Sequence, residues 1–201
     1  MVEKKSIIMA LETLKLKGNE HFKAGRLTSA MDCYFLVRNY TLSTTEKFQD
    51  LEHIRLALDA IKNNVSVMLK MLQQVADIEE FERKSGITVA RCAVVELYHT
   101  LTASVGSAVK FVEECRLPPH PAVSESSLTK DRLDKDLQKL YFRGASGHFA
   151  MGNYELAFDD ILKAREFDPN DKLVHKLMKR IKVMKKKATA KLAKGMKKMF
   201  A

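Results

Sequence analysis

Proline and glycine are scarce in this chain, four and eight among 201 residues, and such sparse punctuation excludes an all-β protein of many short strands and turns. Cysteine is scarce as well. Cys33, Cys92 and Cys115 are odd in number and far apart, with neither a CxxC pair nor a histidine at metal-ligand spacing. This speaks against a disulfide framework or a zinc site and for a reducing compartment. No run approaches the ~18 consecutive apolar residues of a membrane span, and Met1 is followed by charged and mixed residues. The expectation is a cytoplasmic protein, with the nucleus open. Acidic residues are missing from Lys172 onward, where twelve Lys and Arg fall. The residues before it hold 23 basic against 25 acidic, a net of −2, so the +10 of the chain belongs to one terminal segment. A nucleic-acid footprint should run across a folded face, and its confinement to a tail disfavours nucleic acid as a partner. No Gly-rich phosphate loop precedes a helix and no nucleophile stands at a base's spacing, so neither enzymatic activity nor a cofactor is expected.

What is present is helical periodicity. Ile8, Leu11 and Leu14, then Leu56, Ile61, Val65, Met68, Leu69 and Leu72, recur at the spacing of one helix face, and the fold class is all-α. Turn signals separate the helices at Gly25, Thr41 to Thr45, Ser85-Gly86, the Pro/Ser stretch 117–129, Gly152-Asn153 and Asp168-Pro169-Asn170. Internal repetition adds the architecture. LKLKGNEHFKAGRLTSAMDCYFLV (14–37) and YFRGASGHFAMGNYELAFDDILKA (141–164) align without a gap. Gly18 then meets Ala145, Phe22 meets Phe149, Gly25 meets Gly152, Leu27 meets Tyr154 and Ala30 meets Ala157, and the second copy closes on Asp168-Pro169. Small residues that let two helices approach, with an aromatic between them, are the pattern of the ~34-residue tetratricopeptide (TPR) helix-turn-helix repeat. His21 and His148 share a repeat position beside those aromatics and read as packing residues rather than ligands or bases.

The expected layout is a single TPR domain: a first repeat at 9–42, a second at 48–116 with a helical insertion at about 73–103, a loop at 117–130, a third repeat at 136–169 and a basic capping helix at 171–200. The apolar stripe of that helix is read as Leu173, Leu177, Ile181 and Met184. Such an array lines a groove with the first helix of each repeat. Lys15 and Asn19 stand four apart on one such helix and Lys139 and Arg143 four apart on another, so each pair shares a face, and Asn63 falls on the matching face of the middle repeat.

The strings LKLKGN, NNVSVMLK and QKLYFRGA resemble the motifs of TPR domains in heat-shock protein 90 co-chaperones, including the large immunophilins of the cyclophilin and FKBP classes. The ending KGMKKMFA is similar to the Met-Phe-Ala tail of the large cyclophilins. The likeness covers roughly residues 9–72 and 104–200, and 73–103 depart from it. It implies a two-carboxylate clamp formed by Lys15, Asn19, Asn63, Lys139 and Arg143, which would hold the C-terminal Asp of heat-shock protein 90, with heat-shock protein 70 as competitor. A prolyl isomerase domain, if the likeness extends so far, would lie outside these residues. Two other readings stay open. One is a TPR scaffold whose groove the insertion occludes. The other is a calmodulin-regulated adaptor acting through the basic C-terminal helix, whose Leu, Ile, Met and Phe anchors stand among cations without an acid.

Overall fold

The computed structural model describes residues 2–43, 51–85, 91–116 and 130–199. Among them the chain is all-helical, as its periodicity predicts: α1 (Val2–Lys23), α2 (Leu27–Ser43), α3 (Leu51–Ser85), α4 (Arg91–Arg116), α5 (Lys130–Ala150), α6 (Tyr154–Phe167) and α7 (Lys172–Met199). Of the expected loop 117–130, residues 117–129 lie outside the described residues, as do Thr44, Thr45 and Gly86, whereas Lys130 begins α5.

Each helix packs on its neighbours in sequence, and the odd-numbered helices adjoin one another as well, α1 with α3, α3 with α5, and α5 with α7. Even-numbered helices do not adjoin to that extent among the described residues. The stack therefore has one side built from α1, α3 and α5. Apolar residues at helical spacing make its core, which includes Val65, Met68, Leu101, Leu137, Leu140, Ile161 and Ile181. Ile8, Leu11, Val37, Leu56 and Ala60 form a smaller cluster where α1, α2 and α3 meet.

The two aligned segments have the same turn. After α1 the backbone bonds run from Ala24 N to Glu20 O, Gly25 N to Phe22 O, Arg26 N to His21 O, Leu27 N to Gly25 O and Ala30 N to Arg26 O. After α5 they run from Met151 N to Gly147 O, Gly152 N to Phe149 O, Asn153 N to His148 O, Tyr154 N to Gly152 O and Ala157 N to Asn153 O, each at the aligned position. Gly25 and Gly152 stand at φ of +76° and +77°, the left-handed region where a Cβ is strained. A cation from the helix that follows each hairpin covers its aromatic: Lys70 of α3 lies 4.7 Å from the Phe22 ring centre and Arg180 of α7 lies 5.0 Å from that of Phe149.

Elsewhere the structure departs from the expectations. Thr41 does not open a turn. It lies buried within α2, and its hydroxyl donates to Val37 O at 2.8 Å, the bond a helical threonine makes to the preceding turn. Of the stretch 73–103, residues 73–85 continue the 35-residue α3 and 91–103 begin the 26-residue α4, and 86–90 lie outside the described residues. In α7 the covered stripe is Val174, Leu177, Met178 and Ile181, whereas Leu173 is 63% exposed. Positions 173 and 174 both stand at helical spacing from Leu177, and it is Val174 that packs; Asp171 caps the first turn by accepting from Leu173 N (2.7 Å) and Val174 N (3.2 Å).

Candidate functional site

The side made by α1, α3 and α5 carries a chain of polar contacts that crosses all three helices. On α1, Lys15 is half-buried and its Nζ lies 3.2 Å from Asp59 Oδ2 of α3. The other oxygen of Asp59 lies 3.2 Å from Lys62 Nζ, one turn further along α3. Lys62 in turn donates to both carboxylate oxygens of Asp136 on α5, at 2.9 Å each. Arg143, two turns on from Asp136, donates from Nη1 to the backbone carbonyl of Lys62 at 2.9 Å. A second link runs beside the first, from Tyr34 Oη to Asn19 Oδ1 at 2.6 Å and from Asn63 Nδ2 to the same oxygen at 3.4 Å.

Four of the five residues expected from the sequence are thereby brought to one region: Lys15 and Asn19 from α1, Asn63 from α3 and Arg143 from α5. Lys139 is exposed on α5, one turn before Arg143, with no ion pair among the described residues. Burial lowers the Arg143 pKa and Asp136 counters it, and the guanidinium stays charged at any physiological pH. For Asp59, burial would raise the pKa, but Lys62 and then Lys15 outweigh it and hold the carboxyl below its ordinary value.

Tyr34 sets the direction of Asn19. The phenol is 2% exposed, and burial, with Cys33 adding to it, pushes its pKa up to about 12, so it remains a donor. An amide that receives Tyr34 and Asn63 on its oxygen keeps its NH2 group as the unengaged half. Gly18 makes this contact feasible, since a Cβ there would lie 2.6 Å from Tyr34 Cε1.

Sequence reasoning missed Asp59, Lys62 and Asp136. Their spacing held a usable signal: Asp59, Lys62 and Asn63 are i, i+3 and i+4 on one face of α3, and Asp136 precedes Arg143 by seven on α5. The two histidines at the shared repeat position differ in setting, His21 bonding at an exposed site and His148 at a part-buried one. His21 Nδ1 accepts from Arg26 Nε at 2.8 Å, and His148 contacts Tyr98 Oη at 2.7 Å between α4 and α5.

No cluster of three or more His, Cys, Asp or Glu able to hold a metal occurs among the described residues, and no described helix is long and apolar enough to cross a membrane. No protein-family model matches the chain, and a search of curated proteins finds no match.

Proposed function

We propose that the chain is a TPR module that binds the acidic C-terminal peptide of a chaperone of the heat-shock protein 90 type, with the heat-shock protein 70 tail as competitor. The observation that carries this reading is the convergence of Lys15, Asn19, Asn63 and Arg143 on the side shared by α1, α3 and α5. A C-terminal Asp has two carboxylates a few ångströms apart. Lys and Arg supply charge-assisted donors to them, and Asn supplies donors without further charge. The matching turns of the α1–α2 and α5–α6 hairpins and the adjacency of the odd helices support the repeat architecture this requires. The protein would act in this role by binding, without chemistry of its own.

Calorimetric titration with a peptide ending in Met-Glu-Glu-Val-Asp tests the proposal. Micromolar affinity, about −8 kcal/mol, is expected for a short peptide that must be ordered on binding. It should weaken with salt and disappear on C-terminal amidation and in Lys139→Ala/Arg143→Ala. Absence of binding at millimolar peptide by a folded, helical protein would reject it.

A second reading is favoured by the far part of α7, where Leu192 (68% exposed) and Met196 (52% exposed) lie bare among lysines. An adaptor regulated by calmodulin through this helix would show calcium-dependent capture of the last thirty residues, and peptide binding in the groove would then be absent or incidental.

A further inference from the structure

On the reading of the groove given above, we infer that Asp59 is a built-in competitor for the partner's terminal carboxylate, so that the free groove is neutralised from within and releases its lysines only to a strongly acidic tail. Asp59 already does toward Lys15 and Lys62 what the tail's carboxylate would do. Each of its oxygens takes one ammonium at 3.2 Å. These side chains are between 14% and 24% exposed, so salt and water screen them less than surface pairs.

Two aspartates share the task, and burial distinguishes them. Asp136 has a side chain only 4% exposed and holds Lys62 through both oxygens at 2.9 Å, which fixes it as a structural anchor. Asp59 is more exposed, binds each lysine through one oxygen, and can turn away into water. Lys15 has no other acid within ion-pair distance among the described residues. It is the cation an incoming carboxylate would capture, and Asp59 the group it would displace. Lys15, Lys62 and Arg143 face two negative charges, which leaves a net of about one positive before the exposed Lys139 is counted. A tail with a single backbone carboxylate gains little from so balanced a site. One ending in Asp with glutamates upstream brings charge enough to exchange with Asp59 and to engage Lys139. Asp59 is thus a specificity-determining residue that sets affinity and filters tails by charge.

The test is fluorescence anisotropy with a labelled peptide ending in Glu-Glu-Val-Asp and its C-terminally amidated form, on the wild-type chain, Asp59→Asn and Arg143→Ala. Asp59→Asn should bind about tenfold more tightly than wild type, with the gain confined to the free-acid peptide, and should also bind tails with fewer acids. A wild-type groove that binds through Arg143 and the free carboxylate while Asp59→Asn is equal or weaker overturns the inference and leaves the clamp standing. No binding by either protein overturns both. Because Asp59→Asn leaves the half-buried Lys15 without its acid and could lower stability, the 13C titration of the Asp59 carboxyl in the wild-type protein gives an independent reading. Saturating peptide should move it up toward the ordinary carboxylate range as Lys15 is taken, and an unchanged titration in the saturated complex overturns the inference.

Discussion

Gly18 lies where α1 presses on α2, and a Cβ there would stand 2.6 and 2.9 Å from the Tyr34 ring and 3.1 Å from Cys33 Cβ. The ring cannot swing away, because it is buried and its hydroxyl is bonded to Asn19. Overpacking of this kind costs about 2 kcal/mol, while Ala returns ~1 kcal/mol of helix propensity, so Gly18→Ala should lose about 1 kcal/mol in urea unfolding. It should also weaken peptide binding through Asn19. Asp160 of α6 is a second residue whose setting fixes a sign. Burial pushes its pKa up to about 6, Lys163 pulling it back and Asp159 adding to it, and His148 Nε2 lies 3.6 Å away. A carboxyl protonated more readily in the folded than in the unfolded state adds stability at low pH and loses it as pH rises through 6. Asp160→Asn should therefore be more stable than wild type at pH 7.5, by about 1 kcal/mol once partial solvent screening is allowed for, with the difference vanishing near pH 4. His148, whose pKa burial lowers, works in the opposite sense below its ordinary value, so the test is the difference between variant and wild type across pH. The turn glycines and the packing positions of both hairpins could be read from the sequence, since a steric requirement leaves only one or two residue types able to meet it. Asp59 could not. A lone aspartate on a helix reads as solvated until a lysine 44 positions earlier is placed against it.

At the scale of the element, Asp171 caps and anchors the start of α7. Asp171 caps the first turn through Oδ1 and accepts Gln138 Nε2 of α5 through Oδ2 at 2.8 Å, so it both closes the helix and ties it to the buried core. Asp171→Ala removes the cap and leaves an amide of Gln138, 8% exposed, without that acceptor. A loss of about 2 kcal/mol is expected in urea unfolding. Asp171→Asn, which keeps a capping oxygen, should recover most of it. The Asp168-Pro169-Asn170 turn before α7 was legible because proline cannot continue a helix. The shift of the covered stripe from Leu173 to Val174 was not, because both residues stand at helical spacing from Leu177, and Asp171 reads in the sequence only as the first residue of the capping helix. The lengths of α3 and α4 were hidden for a different reason. Ser85-Gly86 reads as a turn and α3 ends at Ser85, but helical periodicity within 73–103 does not tell the continuation of a helix from an inserted one.

At the scale of the molecule, the charge and the fold are segregated. The stripe that α7 buries at Val174, Leu177 and Ile181 continues in the same phase through Met184, Ala188 and Leu192, but Ala188 and every described side chain after it are exposed. Among the described residues the ion-pair and cation–ring contacts of α7 with the rest, which include Arg180 over Phe149 and Lys185 with Glu155, precede that point. Stability resides in residues that bury surface, and changes away from such features stay within about 0.5 kcal/mol. Removing 188–201 should consequently leave the urea midpoint of the protein unchanged within that margin, although it deletes Lys191, Lys194, Lys197 and Lys198 and lowers the net charge from +10 to +6. Groove binding of an acidic tail should survive the truncation with its dependence on Arg143 intact, because no expected groove residue lies beyond Arg143 and long-range attraction from distant lysines is screened beyond about 8 Å at physiological salt. Hydrogen exchange gives the companion measurement. Amides from Ala188 to Met196, bonded along a stretch of helix whose described side chains are exposed, should exchange far faster than those around Ile181. A large drop in the urea midpoint on truncation, or equal protection along α7, would mean that the basic end of the helix packs on part of the chain and takes part in the fold.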